Sequence, residues 1–145
     1  EIGVAAGGSI KLWHNYFTKA TIYGCDITDI CIHELKTNNR VLLKLDENAY
    51  TKEYVQKSFG NKKFDFLLDD GPHTLETQEK FIELYSPLLS ENGILIIEDI
   101  QDINWLENLK NKTPKHLKQY IKTYDLRKNK DRYDDIVFTI DKVVR

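Results

Sequence analysis

Two apolar runs of the sequence each end in a pair of acidic residues. FDFLLDD ends in Asp69 and Asp70, and ILIIED ends in Glu98 and Asp99. If these runs are parallel strands joined by one helix in a right-handed crossover, their carboxyl ends reach the same edge of the sheet. Four carboxylates would then converge, which is costly because like charges a few Å apart raise each other's pKa. The pattern therefore predicts that a positive charge lies among them.

A hard divalent cation is the simplest source of that charge. No thiolate and no second histidine accompany the acidic pairs, and oxygen ligands favour Mg²⁺, Mn²⁺ or Ca²⁺ over Zn²⁺. We predict that Asp70, Glu98 and Asp99 are the metal ligands.

A histidine follows the first acidic pair in the sequence DDGPH. Most lone histidines are helix caps or ordinary surface residues, but His73 is the only side chain of this loop that titrates near neutrality. It is placed to take a proton from a hydroxyl group that the metal polarises. We predict that His73 is the general base.

Glycines cluster at the start of the chain, in EIGVAAGGS. The segment ends a predicted strand and opens a helix, which is where α/β folds bind nucleotides. Gly3, Gly7 and Gly8 would allow the backbone to approach a ligand closely, and Ser9, which could cap the helix, is predicted to bind the same ligand. The spacing matches neither the dinucleotide fingerprint nor the phosphate-binding P-loop.

Two more acidic residues follow the next two predicted strands. Asp26 lies where an acid can accept hydrogen bonds from both ribose hydroxyls, and Asp46 lies where it could reach an adenine edge. Each feature alone is ordinary loop chemistry. The glycine turn and both acids together favour an adenosyl ligand without a polyphosphate, and S-adenosylmethionine fits that description.

The elements that would position these residues alternate along the chain, because short apolar runs alternate with amphipathic segments. This alternation predicts an α/β fold with a doubly wound, mostly parallel sheet and one domain over residues 1–145. The first residues, EIGV, are typical of the last part of a strand, so we expect further residues upstream of them in the native protein. Strands are predicted over residues 1–4, 21–25, 41–45, 64–68 and 94–97, helices over 10–19, 29–36, 51–59, 74–89 and 105–111, and a closing antiparallel pair within 118–127 and 135–143.

Net charge and composition argue against nucleic acid and membranes as binding partners. The chain has 145 residues and a net charge of −2, which gives no general attraction to nucleic acid or to an anionic membrane. No apolar run approaches the roughly 20 residues that a membrane span needs. Cys25 and Cys31 show no metal or redox spacing and indicate reduced thiols in a cytoplasmic protein. A small-molecule substrate is therefore expected, and a homo-oligomer is compatible with these features.

Several blocks together resemble a known family, the class I S-adenosylmethionine-dependent methyltransferases of the macrocin/mycinamicin sugar O-methyltransferase type. The blocks are EIGVAAGGSIKLWHNYFTKATIYGCDI, DFLLDDGPHTLETQEKFIELYSPLLSENGILIIEDI and, more weakly, YDLRKNKDRYDDIVFTIDK. The resemblance implies methyl transfer to a hydroxyl of a sugar or glycosylated small molecule. It also implies Mg²⁺ on Asp70, Glu98 and Asp99, with His73 as general base.

The resemblance assigns the cofactor residues as well. Glu1, Gly3 and Gly7 would hold the methionine end, Asp26 the ribose, and Asp46 would lie by the adenine. Asp69 would support the loop or the cofactor.

The sequence departs from the family's usual pattern in two features. Pro72 stands where the family usually has serine, and the family's additional N-terminal sequence, which covers the active site and helps to choose the sugar, has no counterpart here.

Two other functions remain open from the residues alone. A metal-dependent hydrolase or phosphoryl-transfer protein could use the same acids, although the first loop offers no converging basic residue nearer than Lys11. A non-catalytic module that binds S-adenosylmethionine is the second alternative. An iron/2-oxoglutarate oxygenase fits less well, because His73 lacks the His-x-Asp partner spacing.

Overall fold

The structure, a computed structural model, describes residues 1–143. The chain folds into two compact units, Glu1–Ala49 and Tyr50–Arg145, and each is described by itself. The prediction of a single domain over residues 1–145 stays a prediction.

The first unit is a small α/β unit with two parallel strands. Strand β1 pairs with β2, with Ile22 opposite Val41. The predicted first strand is reduced to one parallel bridge, between Ile2 and Cys25. Its elements are α1 (Gly8–Tyr16), β1 (Ile22–Cys25), α2 (His33–Lys36) and β2 (Val41–Lys44), around a core of Val4, Ile10, Ile22, Cys31, Leu35 and Val41.

Two helix predictions in this unit were wrong at their ends. Helix α1 begins at Gly8 because Gly7 is its N-cap, with a left-handed φ of 96°, so Ser9 lies inside the first turn and does not cap it. Helix α2 is confined to its last four predicted residues. The N–H of Ile32 donates to the carbonyl of Ala6, which holds the preceding segment as a loop.

The second unit contains a four-stranded mixed sheet in the order β3-β4-β6-β5. Strands β3 and β4 are parallel, whereas β6 is antiparallel to both β4 and β5. The predicted antiparallel pair near the end of the chain is thus confirmed. The elements are α3 (Lys52–Phe59), β3 (Phe64–Asp69), α4 (Leu75–Tyr85), β4 (Leu89–Ile97), α5 (Trp105–Lys112), β5 (Ile121–Asp125), α6 (Arg127–Lys130) and β6 (Ile136–Asp141), with 3₁₀ turns at Ser86–Leu88 and Lys115–Tyr120.

Helix α4 connects the two parallel strands and covers the sheet. Thr74 starts the helix with a capping box, in which its hydroxyl accepts from the N–H of Thr77 and its own N–H donates to the Thr77 hydroxyl. Phe81, Ile82 and Tyr85 form its buried side. The helix was predicted to run to residue 89 but ends at Tyr85, because Pro87 cannot continue the hydrogen-bond ladder and a 3₁₀ turn follows.

Within residues 1–143, the structure contains no helix with both the length and the apolarity that a membrane crossing requires.

Candidate active site

The register of β3 and β4 brings their acidic ends level with each other. Asp69 lies opposite Ile97, and the N–H of Glu98 donates to the carbonyl of Asp69 at 3.2 Å. Asp70 and Asp99 therefore lie one and two residues beyond the last paired residues, at the carboxyl ends of two neighbouring parallel strands. The predicted convergence of these two strand ends is confirmed.

Three side chains at this edge lie close enough to share one ion. Ligand atoms of Asp70, His73 and Asp99 all lie within 4.8 Å of one another, and each residue is partly buried. The Nε2 atom of His73 lies 3.7 Å from Oδ1 of Asp70. The structure thus gathers two predicted metal ligands and the predicted base.

The donor set of this group suits a hard divalent cation. Mg²⁺–oxygen bonds of about 2.1 Å place two ligand atoms roughly 3 Å apart when they are adjacent and about 4.2 Å apart when they are opposite. The ligand atoms of the three residues lie within 4.8 Å of one another, an upper bound close to these separations. The imidazole nitrogen is a poorer partner for Mg²⁺ than for softer metals, which leaves His73 available for proton transfer.

Glu98 is not a member of this three-residue group among the described residues. Its backbone is held on both sides: its N–H bonds to Asp69, and its carbonyl accepts from Nε2 of Gln78 at 3.3 Å. Metal ligation by Glu98 stays a prediction.

Three predicted site residues have an unusual backbone conformation. His73, Asp99 and Asp46 have φ values of 53°, 49° and 60°, in the left-handed region that residues other than glycine seldom adopt. Such conformations persist only where the surrounding structure imposes them, and they cluster at functional sites. The two turns that carry His73 and Asp99 are therefore held by their neighbours in defined geometries.

Asp69 supports the loop that carries Asp70 and His73. Its side chain is only 2% exposed and accepts hydrogen bonds from the hydroxyl of Tyr50 and the N–H of Gly71. Burial raises the pKa of Asp69 to about 7, although both hydrogen bonds oppose that shift. Gly71 has no room for a side chain, because a Cβ atom there would lie 2.1 Å from the Tyr50 hydroxyl. A direct contact of Asp69 with a cofactor stays a prediction.

Two residues near the acids were missed in the sequence. Gln78 is buried on α4 and donates a hydrogen bond to the Glu98 carbonyl. A polar residue within the apolar face of a helix is a signal in the sequence that could have identified Gln78. Arg132 precedes β6 and places Nη2 3.1 Å from Oδ2 of Asp99. No spacing rule links residues so far apart in the chain, so only the fold identifies that pair.

The first unit holds the predicted residues for the methionine end of the cofactor. The Glu1 carboxylate accepts hydrogen bonds from the Ser9 hydroxyl and from the indole N–H of Trp13. Gly7 is required by its left-handed φ and by packing, since a Cβ atom would lie 2.4 Å from Cδ1 of Leu35. Trp13 therefore orients the acid.

Asp26 joins two loops of the first unit. Its Oδ2 accepts from the N–H groups of Val4 and Ala5, and its Oδ1 accepts from the N–H and hydroxyl of Thr28, each at 2.8 Å. Burial pushes the pKa of Asp26 upward, but these hydrogen bonds together outweigh burial and hold the pKa below its ordinary value. Asp26 is therefore a carboxylate that shapes the glycine loop. These four hydrogen bonds fill its four acceptor sites, so a ribose hydroxyl would have to replace one of them, and the ribose contact stays a prediction.

Known proteins resemble the chain in sequence. No protein-family profile matches it. The mycinamicin VI 2''-O-methyltransferase of Micromonospora griseorubida is 30% identical over 115 residues, which cover 72% of this chain and 27% of that protein. The 8-demethyl-8-alpha-L-rhamnosyl tetracenomycin-C 2'-O-methyltransferase of Streptomyces olivaceus is 29% identical over 112 residues, covering 72% of this chain and 29% of that protein. The chain thus spans less than a third of the length of these curated relatives.

Solved structures resemble the fold. The MycE methyltransferase from the mycinamycin biosynthetic pathway, in complex with Mg and SAH, superposes with a TM-score of 0.72 at 20% identity, over 98% of this chain and 44% of that one. Its complex with Mg, SAH and mycinamycin VI gives a TM-score of 0.70 at 19% identity, over 95% of this chain and 42% of that one. The chain is therefore similar in sequence to sugar O-methyltransferases of the macrocin/mycinamicin type and similar in fold to the solved MycE methyltransferase.

Proposed function

We propose that this chain carries the cofactor-binding and metal-binding residues of an S-adenosylmethionine-dependent O-methyltransferase that acts on a hydroxyl group of a sugar or a glycosylated small molecule. The observation that carries the proposal is the group of Asp70, His73 and Asp99 in a chain similar in sequence to sugar O-methyltransferases. The acidic cluster alone would not indicate this function, because such clusters are common in proteins without a metal ion. Sequence similarity alone would not indicate it either, because the activities of the relatives are those of other proteins.

Each residue has a defined task in the proposed reaction. Asp70 and Asp99 would hold the cation, with Glu98 as the further predicted ligand, and a bound Mg²⁺ supplies Lewis acidity that lowers the pKa of the acceptor hydroxyl. His73 takes the hydroxyl proton on its imidazole. The acceptor oxygen then forms a bond to the methyl carbon as the bond from that carbon to the sulfonium sulfur breaks, leaving S-adenosylhomocysteine.

The cofactor would be held by residues of the first unit. Glu1, oriented by Ser9 and Trp13, supplies a carboxylate for the amino group of the methionine end. Gly3 and Gly7 contribute no side chain to the loop, and Asp26 and Asp46 keep their assignments to the ribose and the adenine.

Two measurements test this function. We expect calorimetry to show binding of S-adenosylhomocysteine and no binding of ATP, which would separate a methyltransferase from a phosphoryl-transfer protein. Transfer of labelled methyl from S-adenosylmethionine to glycosylated polyketides that carry free sugar hydroxyls should require Mg²⁺ and stop with EDTA. Binding of S-adenosylhomocysteine without any cation-dependent transfer would instead identify a non-catalytic module.

A further inference from the structure

We propose that Arg132 sets the affinity of the acidic cluster for its cation, by competing with the cation for the carboxylate of Asp99. The proposal rests on the cation site of the proposed function and adds a residue that none of the sequence motifs singled out.

The guanidinium of Arg132 lies between two carboxylates. Its Nη2 atom is 3.1 Å from Oδ2 of Asp99, and its Nε atom is 3.3 Å from Oδ1 of Asp134. The hydrogen bond that Arg132 donates to Asp134 and the charge of Asp99 raise the pKa of Arg132 further above its ordinary value. Arg132 is therefore a permanent positive charge beside one of the candidate metal ligands.

Neighbouring contacts hold the backbone segment that carries Arg132 beside the cluster. The hydroxyl of Tyr133 donates to Oε1 of Gln101 at 2.7 Å, and the N–H of Ile100 donates to the carbonyl of Ile136 at 3.2 Å. The segment after β4 is thus fastened to the segment before β6 next to the Arg132–Asp99 pair. Proximity of the two side chains follows from this backbone arrangement.

Competition follows from the chemistry of one carboxylate. Asp99 offers the same oxygen lone pairs to the guanidinium and to a metal ion, and two positive charges at that distance repel each other. The Arg132 side chain is 51% exposed, so it can move into solvent when a cation binds. An exposed ion pair is weak, so we expect a modest effect, roughly two- to fivefold in cation affinity.

Weaker cation binding after removal of Arg132 would have a different physical cause. If Arg132 served only to orient Asp99, its removal would leave the carboxylate misplaced and would weaken cation binding. The sign of the change therefore distinguishes competition from positioning.

The experiment is a titration of the purified protein with Mn²⁺, followed by the electron paramagnetic resonance signal of the free ion. We expect Arg132→Gln to bind Mn²⁺ roughly two- to fivefold more tightly than the unmodified protein at low ionic strength, and the difference to shrink as salt screens the charge. The matched control is Arg127→Gln, which removes a guanidinium of similar exposure from the same connection between β5 and β6. Arg127 pairs with Asp125 instead of the cluster, so its removal should leave the affinity unchanged.

A third variant separates this proposal from the function on which it rests. Asp70→Asn should greatly weaken Mn²⁺ binding; if it does not, the measured ion is not in the cluster, and both the metal role and the role of Arg132 are wrong. If Asp70→Asn weakens binding but Arg132→Gln matches Arg127→Gln or binds more weakly, only the role of Arg132 is overturned. Thermal unfolding of each variant verifies that it is folded at the temperature of the titration.

Discussion

His73 combines a left-handed backbone with a ring nitrogen 3.7 Å from Asp70. A positioned general base contributes about 10² to 10⁴ in rate, so we expect His73→Ala to reduce methyl transfer by a factor in that range. Binding of S-adenosylhomocysteine should stay within about twofold, because cofactor affinity does not depend on a proton acceptor. Rates and calorimetry on the same preparation measure both quantities.

The control for this variant is His116→Ala, since His116 is exposed and lies in the 3₁₀ turn before β5. It should retain full activity. Equal rates for His73→Ala and the unmodified protein would show that another group accepts the proton.

The contribution of Asp26 to the free energy of unfolding should depend on pH. The folded protein lowers the pKa of this carboxyl below its ordinary 3.8, so its ionised form contributes stability above that pH and loses it as the pH falls through the folded pKa. Asp26→Asn keeps only one acceptor oxygen, and we expect it to lower the free energy of unfolding by about 1 kcal/mol at pH 7. The deficit should decrease as the pH falls from 3.8 through the lower folded pKa, because the unmodified carboxyl becomes protonated over that range. Urea unfolding as a function of pH measures this change.

The control for Asp26 is Asp29→Asn in the same loop, where the carboxylate pairs with Lys36 at the surface. Exposed pairs contribute little, so that variant should cost under about 0.5 kcal/mol. A deficit for Asp26→Asn that stays constant from pH 7 down to the lowest pH at which both proteins remain folded would contradict the role assigned to its charge.

At the scale of elements, the loop between β3 and α4 is held by a close contact of Tyr50 with Gly71. A Cβ atom at Gly71 would lie 2.1 Å from the Tyr50 hydroxyl and 3.2 Å from Oδ1 of Asp69. We therefore expect Gly71→Ala to cost about 1–3 kcal/mol of unfolding free energy, as overpacking usually does. Because the nearest atom is one hydroxyl, Tyr50→Phe should relieve part of that cost.

A double-mutant cycle measures this relief. We expect Gly71→Ala with Tyr50→Phe to be more stable than the sum of the single changes predicts, by about 0.5–1.5 kcal/mol. Gly8→Ala is the control glycine, since a Cβ atom at Gly8 meets nothing within 4 Å. Strict additivity in the cycle would show that the hydroxyl is not the obstacle.

The carboxyl ends of β3 and β4 were the most predictable boundaries, whereas β4 begins at Leu89, before the predicted start at residue 94. Buried strands need continuous apolar runs, and a charged pair cannot continue such a run, so Asp69 and Glu98 were correctly identified as the points where β3 and β4 reach the sheet edge. Helix ends were less predictable because they depend on local hydrogen bonds. Ser9 was wrongly expected to cap α1, since Gly7 can adopt the left-handed conformation from which the helix begins earlier in the chain.

At the scale of the whole molecule, the predicted cofactor residues and the predicted metal residues fall mainly in different units. Glu1, Ser9, Asp26 and Asp46 belong to the first unit, and Asp70 and Asp99 to the second. If the proposed function is correct, both ligands should stabilise the folded protein, because each binds the folded state and not the unfolded chain. A ligand at about 100 times its Kd adds about 2.7 kcal/mol.

This expectation can be tested by thermal unfolding with each ligand. Asp46→Asn should reduce mainly the increase in Tm caused by S-adenosylhomocysteine, and Asp70→Asn should remove the increase caused by Mg²⁺. Each variant serves as the control for the other. If Asp70→Asn retained the whole Mg²⁺ effect, the cation would be bound elsewhere.

Some features of this protein depend on residues that are close together in the chain, and others depend on contacts between residues that are far apart in it. The amino-acid sequence alone determined the alternation of strands and helices, the acidic strand ends and the histidine loop, because these depend on local patterns of burial, turn chemistry and charge. Only the tertiary structure placed Arg132 beside Asp99, fastened Glu98 through Gln78 and buried Asp69 against Tyr50. Those contacts join residues far apart in the chain, and their geometry depends on strand register and loop packing, which no local pattern of residues specifies.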